Sequence, residues 1–211
     1  MTVRRVLLAL DLTAKLALVV LLLVALAYPD LSNLKAKGAG ARLVVYPLGA
    51  LAVPLWWWLR GRRRQRRPFP WGADLLVTLP WLSDLLGNRL NFFDTVTWWD
   101  DASHFAHWLL LTAGVLLAWH PDRRTGGGVV VMVALGFGTT AAVLWELGEY
   151  AAFLRSLPTY ALVYPDTLGD LTLGTSGSLL AGLLVAAGRR RRLRAHSSRA
   201  GSRADAARRR A

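Results

Sequence analysis

No cysteine occurs among the 211 residues, which excludes disulfides, iron–sulfur ligation and thiolate zinc sites. A metal bound by this chain has to use histidine, aspartate or glutamate. Those residues are themselves scarce, with 4 histidines and 13 acids. Charge in general is sparse: 18% of residues are charged, against about 25% in ordinary soluble domains. Hydrophobic residues reach 54% and mean hydropathy is +0.34, a composition that excludes an ordinary soluble domain. Apolar runs of about 17–25 residues, the length that crosses a hydrocarbon core, recur along the chain. The expectation is an all-α, polytopic transmembrane helix bundle.

What charge there is leans to one sign, with a formal net charge of +13. Its distribution argues against nucleic acid. Residues 60–67 hold six arginines and residues 189–211 hold ten, together 16 of the 26 basic residues. Basic clusters directly beside apolar spans mark cytoplasmic loops facing anionic lipid.

Six spans are expected, near residues 6–27, 43–59, 69–86, 100–119, 129–153 and 166–187. They form a single domain over 1–188, followed by a basic, disordered tail at 189–211. The third is weak, because Pro70, Asp74, Pro80 and Asp84 interrupt it. Counting it as a span keeps the N-terminus, the 60–67 loop, the Arg123/Arg124 loop and the tail on the cytoplasmic side, as the positive-inside rule requires. The implied location is the inner (plasma) membrane. Ala25-Leu26-Ala27 also has the form of a signal-peptide cleavage site, an alternative reading of the first span. Asp11 and Lys15, four apart on that span, read as a local pair near the inner surface.

With this topology the polar residues fall at one depth. Asp84, Asn88 and Arg89 close the third span, and "DDASHFAH" opens the fourth with Asp100, Asp101, His104 and His107. "LWELGEY" ends the fifth with Glu146 and Glu149, and "YPDTLGD" starts the sixth with Asp166 and Asp170. Helical phase places Asp100, Asp101, His104 and His107 within an arc of about 120°, Glu146 and Glu149 about 60° apart, and Asp166 and Asp170 about 40° apart. Each set can therefore face the bundle interior. Small residues share those faces: Asp170, Gly174, Ser178 and Gly182 form one i+4 row, and Gly138, Ala142, Glu146 and Tyr150 another. Such rows let membrane helices approach closely.

His104, His107, Glu146, Glu149, Asp166 and Asp170 make a nitrogen-and-oxygen ligand set suited to zinc, manganese or iron. Asp100, His104, Glu146, Glu149 and Asp170 could alternatively serve as general acids and bases. Repulsion among the carboxylates calls for protonation, a cation, or compensation by Arg89 and Arg155. Simpler readings stand beside these. Asp100, Asp101 and Asp166 suit helix starts, where the macrodipole favours anions, but His107, Glu146 and Asp170 lie a turn or more inside. Trp98, Trp99, Trp108 and Trp119 read as interfacial anchors. "RTGGGV" at Arg124 lacks the Lys-Ser/Thr of a phosphate loop and reads as a turn.

The blocks "DDASHF", "WELGEY" and "DTLGDLTLGTSG", in that order, resemble the VanZ-like superfamily, and more closely its YjdF-type branch of bacterial inner-membrane proteins. "PWGADLLVTLPWLSDLLGNRLNFFD" resembles the segment before the first block, so the likeness covers residues 69–182. It implies roles for Asp100 and His104, then Glu146 and Glu149, then Asp166 and Asp170. Two positions depart from the VanZ pattern: Gln is usual where Glu149 stands, and an Asn near Gly174. The expected function is an outward-facing His/Asp/Glu site in the bilayer that binds a cation or acts on an envelope lipid head group. A non-catalytic scaffold or envelope-stress protein with a structural polar network, and a proton- or ion-coupled transporter, are the alternatives. Catalysis and oligomeric state are left open.

Overall fold

A computed structural model describes residues 2–28, 33–34, 37–60, 68–121, 124–152 and 163–208. The described residues are helical, without strands. In chain order the elements are α1 (Val3–Ala27), α2 (Ala39–Ala50), α3 (Ala52–Leu59), α4 (Trp71–Arg89), α5 (Phe92–Thr95), α6 (Trp99–Trp119), α7 (Gly127–Ala152) and α8 (Val163–Arg208). Among the described residues, α1, α6, α7 and α8 are long and apolar enough to cross a membrane, and α2 with α3 supplies a fifth crossing if the bent pair is one span. Most of the 60–67 basic loop, Arg123 and Arg155 lie outside the described residues.

Three expectations about the spans change. The second is not one straight helix: α2 and α3 meet at Leu51 with a bend of 48°. Pro54 is the local cause, since it has no N–H to offer the Ala50 carbonyl and its ring crowds that carbonyl. The third expected span, α4, falls short of the apolar standard, and its Asp74, Asp84 and Asn88 are buried inside the protein. The sixth does not end at residue 187, because α8 continues through the arginine-rich segment to Arg208. Arginine and alanine are good helix formers, and positive charge suits a helix C-terminus.

The bundle is ordered by what each helix buries. α4 lies between α1 and α6, α2 packs on α4, and α8 packs along both α6 and α7. Leu18, Leu22 and Ala25 of α1 meet Tyr46 and Ala50 of α2 and Leu85 of α4 in one core. Leu116, Val130, Ala134 and Ala186 join α6, α7 and α8 in another. Small residues do the packing where α8 meets α6 and α7, Gly177 lying beside the expected rows and Gly138 within one of them. A Cβ on Gly177 would stand 2.2 Å from the Phe105 carbonyl oxygen, and one on Gly138 would overlap the Ser178 hydroxyl. Thr112 and Ser178 share a hydrogen bond of 3.0 Å between α6 and α8. Trp108 belongs to this packing, 7% exposed and lying over Gly174. It is a core residue, not an interfacial anchor, because the glycine opposite leaves room for its ring.

The Asp11–Lys15 pair is real at 2.7 Å, but it is more than local. Lys15 also reaches Asp74 of α4 at 2.9 Å and donates to the Thr78 hydroxyl at 3.0 Å. Both carboxylates are buried, so this cluster fixes α1 against α4.

Two stability outcomes follow, read by thermal unfolding in detergent. Gly177→Leu should cost about 1–3 kcal/mol through overpacking against the α6 backbone, whereas Gly136→Leu, which faces open space, should be nearly neutral. Lys15→Met should cost about 3–5 kcal/mol by stranding two buried carboxylates. The triple variant Asp11→Leu/Lys15→Met/Asp74→Leu should recover most of that loss, and a triple variant no better than Lys15→Met would refute the charge argument.

Candidate functional site

Helix direction brings five helix ends together. The C-terminal ends of α4 and α7 and the N-terminal ends of α2, α6 and α8 surround a chamber of about 270 Å³. Its lining includes Asp84, Asp100, His104, His107, Glu146, Glu149, Asp166 and Asp170. The four polar sets separated in sequence therefore face one space. Asp101 does not line it and is exposed at the start of α6, where its charge suits the helix N-terminus.

His104 is the centre of the arrangement. Its Nε2 stands 3.7 Å from Asp100 Oδ1 and 3.6 Å from Asp170 Oδ1, and its Nδ1 stands 3.9 Å from Glu146 Oε1. These separations exceed hydrogen-bond length. Two groups of ligand atoms, Asp100–His104–Asp170 and His104–Glu146–Glu149, each lie within 4.8 Å of one another. Ligand atoms around a tetrahedral ion with bonds of about 2.0–2.1 Å stand about 3.3–3.4 Å apart, so the widest separations would have to shorten by up to about 1.4 Å to close on such an ion. Asp100 keeps 42% of its side chain exposed, leaving that side of His104 open to the chamber.

His107 and Asp166 take different places. His107 shares a hydrogen bond of 2.7 Å with the Ser83 hydroxyl of α4 and is not among the converging ligand atoms. Asp166 lines the chamber but likewise stays out of both groups. Arg89, expected to offset the acids, is exposed.

The compensating cation is Arg42 of α2, which the sequence reading passed over. The turn into α2 uses Gly38 at φ 70°, a left-handed conformation that glycine adopts without strain, and Arg42 follows one turn later. Its Nε donates to Asp84 Oδ2 at 3.2 Å, and its Nη1 donates to the Lys37 carbonyl. Tyr46, one turn on, donates its hydroxyl to the same Asp84 oxygen. Asn88 Nδ2 donates to the Asp84 carbonyl at 3.0 Å. Lys37 in turn is held by Asp94 at 2.6 Å. The i, i+4 spacing of Arg42 and Tyr46 in "ARLVVY" was the available signal. Beside this corner, Tyr46, Trp81 and Trp145 stack with ring centroids 5.3–6.4 Å apart.

Fold and chamber together define a polytopic helical membrane protein with an acid-rich cavity built from five helix ends. Residues 12–192 match the family described as predicted membrane protein (DUF2238), and the chain belongs to that family. The YjdF-type proteins whose blocks it resembles fall in the same family. No curated protein and no solved structure matches the chain.

Replacing Arg42 should separate its two jobs. Arg42→Lys keeps a charge beside Asp84 but cannot also reach the Lys37 carbonyl, at a cost of about 1–3 kcal/mol. Arg42→Met leaves Asp84 without its cation and should cost about 3–5 kcal/mol. Equal losses in chemical unfolding would show that charge pairing is not what holds this corner.

Proposed function

We propose that this membrane protein holds a divalent cation, zinc, manganese or iron, at His104 and presents it to a lipid head group in the chamber. One observation carries the reading: three carboxylates surround the His104 ring at 3.6–3.9 Å, too far to hydrogen-bond it and close enough to share an ion with it. With Nε2, Asp100 and Asp170 as ligands, the Nδ1–H points at Glu146. That matches the carboxylate–histidine–metal relay in which a ligating histidine donates its other N–H to an acid. Glu149 and Asp166 then add negative potential at the chamber wall.

The topology proposed with it has six spans with both ends cytoplasmic, α4 crossing with its charges turned inward, so that the chamber opens to the outer side. We also place the chain in the wider VanZ-like superfamily on the order of its blocks. Asp100, Glu146, Glu149 and Asp170 of those blocks gather at His104, which supports a common role for these residues. The Asp84 corner, with Arg42, Tyr46 and Asn88 bonded around it, favours a structural role for that corner alone. Beneath the chamber, Trp108 packs against Gly174, which argues against a transport route there.

Metal content of the purified protein after loading with zinc, manganese or iron(II) tests the proposal. Wild type should hold one ion per chain, and His104→Ala should lose it. Glu146→Gln should weaken affinity by about 10–100-fold, the size expected when a ligating histidine loses its acid partner. His107→Ala should keep the ion, because that ring is engaged with Ser83. Absence of stoichiometric metal in wild type, or equal content in His104→Ala, would overturn the metal site.

A further inference from the structure

A second cavity, of about 160 Å³, adjoins the chamber between α2 and α7. Ala41 and Val45 of α2 face Leu144 and Gly148 of α7 across it. Arg42, Tyr46, Trp145 and Glu149 line both spaces, so the two cavities share one wall. The outer surfaces beside the slot are apolar and open: Val44 is 60% exposed, Leu48 57%, Leu144 63% and Leu147 57%. In a membrane protein such faces meet acyl chains. The slot thus lies between this apolar outer surface and the wall of the acid-rich chamber. The slot is open at Gly148, where a Cβ would meet nothing within 4 Å.

We propose that this slot takes the hydrocarbon chain of an ammonium-headed lipid, whose head group enters the chamber sideways from the bilayer. The inference rests on the reading of the chamber as a cation site and names the lipid that would use it. Charge selects the head group. Among the described residues Lys37 is held by Asp94 and Arg42 by Asp84. Among the described residues, no lysine or arginine is ion-paired to Asp100, Glu146, Glu149, Asp166 or Asp170 of the lining. One divalent ion offsets two of those five charges. An ammonium offsets one of the remaining three, whereas a sulfate or phosphate alone would be repelled. Tyr46 and Trp145 stand where the two spaces join, and aromatic rings beside carboxylates are a favourable setting for an ammonium. A soluble amine would satisfy the chamber but would leave the slot without a use.

The test is a titration of the full-length protein in uncharged maltoside micelles with dodecyltrimethylammonium below its own micelle concentration, followed by tryptophan emission. Wild type should give a saturable change reporting Trp145 and Trp81. Gly148→Leu and Ala41→Leu, which fill the slot from opposite walls, should weaken it by at least about tenfold. Their unfolding midpoints should barely move, because both positions are exposed and leucine is a better helix former than glycine and only slightly worse than alanine. Dodecyl sulfate, with the same chain and the opposite charge, should not compete, and tetramethylammonium, the head without the chain, should bind at least about tenfold more weakly. Undiminished binding in both filled variants, or equal binding of dodecyl sulfate, would overturn the inference. Tight binding of tetramethylammonium that ignores both variants would assign the chamber to soluble amines instead. A protein that takes up metal but not dodecyltrimethylammonium loses this inference alone. One that binds dodecyltrimethylammonium without metal loses only the metal reading.

Discussion

Asp84 is a carboxylate inside a helix that lies against apolar neighbours, and its need for a partner organises one end of the molecule. A charge removed from water has to be paired and hydrogen-bonded, or it costs several kcal/mol. Arg42, Tyr46 and Asn88 meet that need. In doing so they draw α2 against α4 and set the wall from which the chamber is measured. At the other end the same constraint acts through Lys15, which binds Asp11 and Asp74 and fixes α1 against α4. α4 is therefore held from two sides by ion pairs, and its polarity is the means by which it joins the bundle.

The rest of the chamber depends on how closely the other helices approach. Gly177 against the Phe105 backbone and Gly138 against Ser178 bring α8 onto α6 and α7 at distances no side chain would allow. That approach carries Asp170 and Glu146 to His104. The packing face and the acidic face are one surface on each helix, so a change in helix spacing is also a change in the separations among the carboxylates. Site geometry in this protein is set by glycine contacts a turn or two away.

Much of this was readable in the sequence. Helical phase turned Asp100, His104, Glu146 and Asp170 inward, and the i+4 rows of small residues identified the faces that pack. What stayed hidden has particular causes. The second span was started at residue 43, where hydropathy rises, but the helix begins at Ala39, so Arg42 fell one residue outside the expected element and its role was missed. Trp108 has the composition of an interfacial anchor, and only the glycine opposite it on a distant helix makes it core. His107 and His104 are three residues apart and alike in sequence. Ser83, on another helix, is what separates them. In each case the deciding partner lies far away in the chain, where periodicity carries no information.

The chamber also sets a limit on explanations that need no ligand. A structural polar network is stable when donors and acceptors balance, and the Asp84 corner has that balance. Around His104 carboxylates outnumber cationic groups. One ring that carries at most one positive charge faces Asp100, Glu146 and Asp170, with Glu149 beside them, and the arginine on this wall is already committed to Asp84. Carboxylates packed this closely in a low dielectric repel one another strongly, and replacing them by amides would relieve that repulsion while keeping hydrogen-bonding capacity. A bundle that needed only packing specificity would be better served by asparagine and glutamine. Acids at these positions are relieved of that repulsion by protonation or by positive charge from outside the chain, which is what the proposed ion and ammonium would supply.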